Sequence, residues 1–178
     1  MRPFQRSGVV VLLLLLGGVL SGARDASPAA LPSAAAGPQE VAVVGVFSDP
    51  LGHHGVMLEG KRDKRRVLMV IGPAEATAIA VPLEKVTPPR PLTHDLFLTL
   101  FGRLKVQVSK VVITDLKNNT YYATLHLTVD GAPMELDSRP SDAIALAIRA
   151  QAPVYAEDRV FEKSDRLPGG PGGPGERI

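Results

Sequence analysis

The sequence predicts an α+β domain, a single mixed or antiparallel sheet with about three packed helices. Three observations carry that expectation. Short β-branched runs recur between turn residues, and two of them are joined by turns of hairpin type. The elements fall in the order three strands, two helices, three strands, one helix, one strand, which is not the strict alternation of a parallel βαβ fold.

Taken in order, Val41 to Phe47 is β-branched and short enough for a buried strand, and Gly55 to Glu59 follows a turn at Asp49-Pro50-Leu51-Gly52 as its hairpin partner. After the charged turn Lys61 to Arg66 comes a third strand, Val67 to Ile71. Gly72-Pro73 opens a helix, because proline at the first helical position gives up an N–H that has no partner there, and Pro82 should end or kink it. Thr93 is the expected N-cap of a second helix. Leu96, Phe97, Leu100 and Phe101 form its apolar stripe, and Gly102 is its expected stop. Val106 to Leu116 and Tyr121 to Val129 read as strands around a turn at Lys117 to Thr120. In the second of them Tyr121, Ala123, Leu125, Leu127 and Val129 face one way, and Tyr122, Thr124, His126 and Thr128 the other. Asp130-Gly131 is a two-residue hairpin turn leading to Met134 to Leu136. Ser141 is the expected cap of a third helix reaching Ala150, followed by a short strand at Pro153 to Ala156 and a final helical turn at Asp158 to Phe161.

The domain so defined, residues 41–164, lies between two stretches of different character. Arg2 and Arg6 precede an apolar run from Val9 to Leu20, and Ser21-Gly22-Ala23 offers the small residues that a signal peptidase reads. Residues 1–23 are therefore expected to be a signal peptide, and the protein to be exported, periplasmic or secreted. A run of this length is short for a bilayer, so a membrane is a partner only if the segment stays uncleaved. Residues 24–40 are an Ala/Pro/Ser linker, and residues 165–178 a Gly/Pro-rich tail with nothing to bury. Removing Arg2 and Arg6 from the 20 Lys and Arg leaves 18, which equals the 18 Asp and Glu. Any polyanion must then be held by a local patch rather than by net charge. The best such patch is Lys61 to Arg66, five cations in six residues. With 0 cysteines the chain has no disulfide, no thiolate metal site and no cysteine nucleophile. Aromatics are 4% of residues and tryptophan is absent, which supplies stacking platforms poorly.

Three segments are similar, in order and separation, to the signature of the bifunctional nuclease (BFN) domain family. They are Ile71-Gly72-Pro73-Ala74-Glu75-Ala76, Arg90-Pro91-Leu92-Thr93-His94-Asp95-Leu96, and Asp137-Ser138-Arg139-Pro140-Ser141-Asp142-Ala143-Ile144-Ala145-Leu146-Ala147. The resemblance covers about Val41 to Lys163. It implies hydrolysis of the phosphodiester bonds of DNA and RNA, with nucleic acid as partner. Apart from the resemblance, a homo-oligomeric state and no organic cofactor are expected. The leader and Pro82 depart from the family pattern.

Phosphodiester hydrolysis needs an activated water, compensation of the charge on the pentavalent phosphorus and help for the leaving oxygen. Within the three segments, Glu75, Asp95, Asp137 and Asp142 supply oxygen donors suited to Mg²⁺ or Mn²⁺. Arg90 and Arg139, with Lys61, Arg65 and Arg66 from the basic turn, supply phosphate contacts, and His94 supplies a proton carrier. The catalytic set is expected to be His94, Asp95, Asp137, Arg139 and Asp142. A structural account competes at each position. Asp95 and Asp142 fall in first helical turns, where a carboxylate is favoured by the dipole alone, and Asp137 could simply pair with Arg139 or Arg90. His53-His54 lacks a third ligand at metal-site spacing, and His126 falls on the polar face of its strand. The alternative function is a non-catalytic ligand-binding or protein-interaction module that self-associates.

Overall fold

The computed structural model describes residues 37–165. The predicted signal peptide, the linker up to residue 36 and the tail from residue 166 lie outside the described residues. Eleven elements follow one another: β1 (Gln39–Ser48), β2 (His54–Gly60), β3 (Arg66–Ile71), α1 (Pro73–Leu83), α2 (Thr93–Arg103), β4 (Val106–Lys117), β5 (Thr120–Val129), β6 (Ala132–Ser138), α3 (Pro140–Ala150), β7 (Val154–Ala156) and α4 (Asp158–Ser164). The class is α+β as expected, with four helices. The first strand begins at Gln39, and the last helical turn extends to Ser164.

All seven strands share one sheet in the order β3-β2-β1-β7-β4-β5-β6. Two antiparallel meanders, β1-β2-β3 and β4-β5-β6, are the predicted hairpins. The three-residue β7 joins them, antiparallel to β1 and parallel to β4, the only parallel pairing among the described residues. The turns have the chemistry their position requires. Asn118 and Asn119 both have positive φ between Lys117 and Thr120, and so do Asp130 and Gly131 between Val129 and Ala132. Residues that tolerate left-handed backbone therefore sit where a two-residue hairpin of right-handed twist needs them.

Alternation along β5 is as predicted: Ala123, Leu125 and Leu127 are buried while Thr124, His126 and Thr128 are half-buried on the other face. The core lies between the sheet and α3, whose Ala143, Ile144, Ala145 and Ala147 are fully buried against Val56, Leu58, Val111, Ile113 and Leu125. Ile79 of α1 and Val160 and Phe161 of α4 complete it. Small alanines let α3 approach the strands closely, and this fixes the start of α3, with its polar residues, beside the starts of its neighbours.

Two expected caps are corrected. The N-cap of α2 is Leu92, with Thr93 one residue inside, because the Asp95 carboxylate accepts a hydrogen bond from the Leu92 N–H at 2.7 Å and fixes Leu92 as the boundary. The N-cap of α3 is Arg139 rather than Ser141. Pro140 excludes the helical region for the residue before it, so Arg139 stays extended and the helix begins at the proline itself. A third expectation changes on α2: Leu96, Phe97 and Leu100 are 59%, 49% and 52% exposed, and only Phe101 of the predicted stripe packs partly into the core.

Pro82 lies inside the last turn of α1, which closes at Leu83 with Glu84 as its C-cap. Lacking an N–H, Pro82 gives nothing to the carbonyl four residues back, Ala78. Arg149 Nη1, from the last turn of α3, donates to that oxygen at 2.6 Å. No helix among the described residues is long and apolar enough to cross a membrane.

Candidate active site

The first turns of α1, α2 and α3 converge on one cleft of about 420 Å³, lined by Glu75 and Ala78 of α1, Thr93 and His94 of α2, and Arg139 and Asp142 at the start of α3. Each helix carries an acidic residue in this first turn: Glu75, Asp95 and Asp142. Each of these helix starts also carries N–H groups without intrahelical partners and the positive end of its dipole.

A continuous polar chain crosses the cleft. His94 Nε2 lies 3.3 Å from Asp142 Oδ1. Arg139 Nε donates to Asp142 Oδ2 at 2.6 Å and Arg139 Nη2 to Asp142 Oδ1 at 3.1 Å, while Nη2 also lies 2.9 Å from Glu75 Oε1 in an ion pair. The His94 side chain is 13% exposed and that of Arg139 is 66% exposed, so the ring is walled in while the guanidinium faces solvent. Asp142, and after it Glu75, hold the Arg139 guanidinium further above its ordinary value, in the charged form. The Glu75 carboxylate folds back over Gly72, where a Cβ would collide with Oε2. A larger residue before Pro73 would displace the Glu75 carboxylate from that position.

Two smaller hollows flank the chain. One, of about 240 Å³, lies between Ile71 and Gly72 and the β4–β5 turn, beside Glu75 and Arg139. The other, of about 290 Å³, runs between α2 and β6, with Phe97, Phe101, Leu125 and Leu136 as walls and His94, Asp137 and Asp142 at its polar end.

His94, Arg139, Asp142 and Glu75, predicted from separate segments, are thus brought together. Asp137 is near them but apart: it sits exposed on β6, opposite Thr124, at the rim of the second hollow. Asp95 turns away toward the helix interface, where its Oδ1 accepts from Arg149 Nε at 2.6 Å. Burial pushes its carboxyl up, but Arg149 and the Leu92 N–H outweigh burial and hold it below the ordinary carboxylate value. Arg90 is exposed in the segment before α2 and lines none of these hollows.

The basic turn is elsewhere. It joins β2 to β3 at the opposite end of β3 from Gly72, roughly 17 Å along the strand. Its charges are already matched: Lys61 with Glu40, Arg65 with Asp63 and Asp158, Arg66 with Glu59. His53 and His54 are held by Asp49 and Ser48, and His126 lies 3.3 Å from Glu135.

Among the described residues no three His, Asp or Glu side chains come close enough together to hold a metal ion. Glu75 and Asp142 share a neighbour, but the Arg139 guanidinium fills the space between them. The donor set as arranged does not fit a divalent cation, because the positive charge that the two carboxylates call for is supplied by Arg139.

Arg149 escaped the sequence reading. Its side chain is 7% exposed and donates to Asp95, to Ala78 O and to Ala145 O, tying α1, α2 and α3 together behind the cleft. The one sequence signal for it was Pro82, which leaves a carbonyl in need of an outside donor.

A family model described as "Bifunctional nuclease domain" matches residues 56–167. The chain is 37% identical over 129 residues to uncharacterized proteins of two Mycobacterium tuberculosis strains, covering 72% of this chain and 77% of theirs. It is 30% identical over 117 residues to proteins named "Bifunctional nuclease 1" in Oryza sativa and "Bifunctional nuclease" in Oryza minuta, covering 63% of this chain and 35% of theirs.

Proposed function

From the premise that the chain belongs to the bifunctional nuclease domain family, we propose that it hydrolyses phosphodiester bonds of DNA and RNA in the cleft where α1, α2 and α3 begin. The observation that carries the reading is the His94–Asp142–Arg139–Glu75 chain, which joins a proton carrier to a solvent-facing guanidinium within one cleft. Asp142 orients the His94 ring through Nε2. The other ring nitrogen then takes a proton from a water as that water's oxygen bonds to phosphorus, and the bond to the leaving sugar oxygen breaks, that oxygen taking its proton from solvent. Arg139, with an N–H left free by its two carboxylates, stabilises the charge on the phosphoryl oxygens, aided by the N–H groups of the three helix starts. Water as the nucleophile makes the ribose 2′-hydroxyl unnecessary, which suits a substrate range spanning DNA and RNA.

Mg²⁺ or Mn²⁺ assistance, expected from the resemblance but not accommodated by Glu75 and Asp142 while Arg139 stands between them, enters only as an arm of the test. Export, resting on residues 1–23 alone, would place the activity in the periplasm or outside the cell. The rival reading, a binding module without catalysis, has on its side that Glu75, Arg139 and Asp142 already compensate one another's charge.

The test is cleavage of labelled single- and double-stranded DNA and RNA by the purified chain with Mg²⁺, with Mn²⁺ and with chelator, beside His94→Asn, Asp142→Asn and Asp137→Ala. Loss of general-base help lowers the rate by about 10²-fold or more in the first two, with melting temperatures near wild type. No cutting, or equal cutting by His94→Asn, sinks the catalytic reading and leaves the binding module. Chelator-resistant cutting removes the cation, and loss in Asp137→Ala together with cation dependence moves the site toward β6.

A further inference from the structure

The helix α2 carries more apolar surface than its own core uses. At 100° per residue, Leu96, Leu100, Leu104, Phe97, Phe101 and Leu98 sweep about 200° of arc, twice the stripe that a surface helix needs. Leu98 and Phe101 occupy one half and pack partly against the core. The other half is bare: Leu96 is 59% exposed, Phe97 49%, Leu100 52% and Leu104, just past the helix end, 57%. No residue of α2 is buried. Beside it runs β6, an edge strand of the sheet, whose core-side residues Met134 and Leu136 are each 49% exposed. Phe97 and Leu136 wall the same hollow, so helix and strand form one continuous apolar face.

We propose that this face is the interface of a twofold dimer of the chain, with α2 packed antiparallel on α2 of the partner subunit. Six half-exposed large side chains amount to on the order of 500–600 Å² of apolar surface, at the upper end of what a monomer leaves bare and most of the roughly 800 Å² per partner in a standard interface. The charge pattern selects a second copy as the occupant. Asp137 and Asp142 lie at the N-terminal end of α2, while Arg103 and Lys105 lie at its C-terminal end and form no ion pair among the described residues. A twofold axis through the middle of the face brings the acidic end of each copy onto the basic end of the other. Contact is through side chains rather than by joining the two sheets. In the hairpin, residues 133, 135 and 137 turn their backbone toward the open edge, and there Pro133, Glu135 and Asp137 guard against strand pairing.

One consequence rests on the nucleolytic reading: Arg103 of the partner subunit then stands beside the Asp137 rim of the candidate site, supplying a cation that the distant basic turn does not. The dimer itself is independent of that reading, and its test reads association rather than cutting.

Sedimentation velocity on the purified full chain across a wide concentration range, repeated after removal of residues 1–23 to exclude the leader as the cause, should show a dimer. Leu100→Glu should weaken it at least about a hundred-fold, with the circular dichroism spectrum unchanged. Val70→Glu, at a side chain 78% exposed on the other edge strand, should leave it intact. Arg103→Glu should weaken association and Arg103→Glu with Asp137→Lys should restore it, a readout that stands even if Leu100→Glu fails to fold. A monomeric wild type, a Leu100→Glu dimer, or a charge swap without rescue overturns the proposal.

Discussion

Replacing Arg149 by methionine keeps the bulk and helix propensity of the position but removes three donors at once. The Asp95 carboxylate loses its partner, and the Ala78 carbonyl, which Pro82 cannot serve, is left without one. A hydrogen bond involving a charged group contributes about 1.5–3 kcal/mol, less where water can take its place. Because the Asp95 side chain is one-third exposed, water recovers part of its bond to Arg149. The expected loss is about 3 kcal/mol, a fall in melting temperature of about 10 °C for a domain of this size. Pro82→Ala supplies the reasoning with its control. In the wild type the new N–H meets a carbonyl already accepting from Arg149, whereas in Arg149→Met it meets one with no other donor. Pro82→Ala should therefore stabilise the variant by about 1 kcal/mol more than it stabilises the wild type. Urea unfolding of the four proteins measures that coupling. Additivity within about 0.3–0.5 kcal/mol would refute the idea that Arg149 stands in for the missing proline N–H. Since Asp95 is held below its ordinary value, the stability it contributes is present above that value and lost as pH falls through the lower, folded one. The gap between wild type and Arg149→Met should accordingly narrow in acid.

Asp115, buried on β4 between Lys163 and Lys117, is lowered to about 2, chiefly by Lys163. Asp115→Asn should cost about 2 kcal/mol at neutral pH. Denaturation at stepped pH should show that cost disappearing between the ordinary carboxylate value and about 2. Gly131, with φ of 82°, should resist a side chain: Gly131→Val should destabilise by about 1–2 kcal/mol in a thermal melt, through left-handed strain alone, since nothing stands near its Cβ. Arg139→Gln, at a solvent-facing side chain, should change stability by less than about 1 kcal/mol. On the proposed reading it should reduce nucleolytic kcat/KM markedly, and steady-state kinetics beside a melt separates the two effects.

Local physical chemistry wrote much of this protein into its sequence. Alternation along Tyr121 to Val129, the left-handed residues at Asn118-Asn119 and Asp130-Gly131, and the prolines at Pro73 and Pro140 act between neighbours. They therefore placed strands, hairpins and helix starts, and with them the α+β class. The three motif segments identified the family and contained His94, Arg139, Asp142 and Glu75, whose joining into one polar chain came only with the fold. What joins distant parts of the chain was decided only by folding. Local patterns of Pro153 to Ala156 do not contain the insertion of β7 between β1 and β4. The basic turn read as a phosphate patch until the fold brought Glu40 and Asp158 to it, beside its neighbour Glu59 and its own Asp63. Four carboxylates looked equivalent until burial turned Asp95 toward Arg149, left Asp137 on an edge strand and set Arg139 between the other two. Electrostatic partners cost least to bring together when the backbone already holds them near, and that proximity is a property of the packed helices and sheet, not of spacing along the chain.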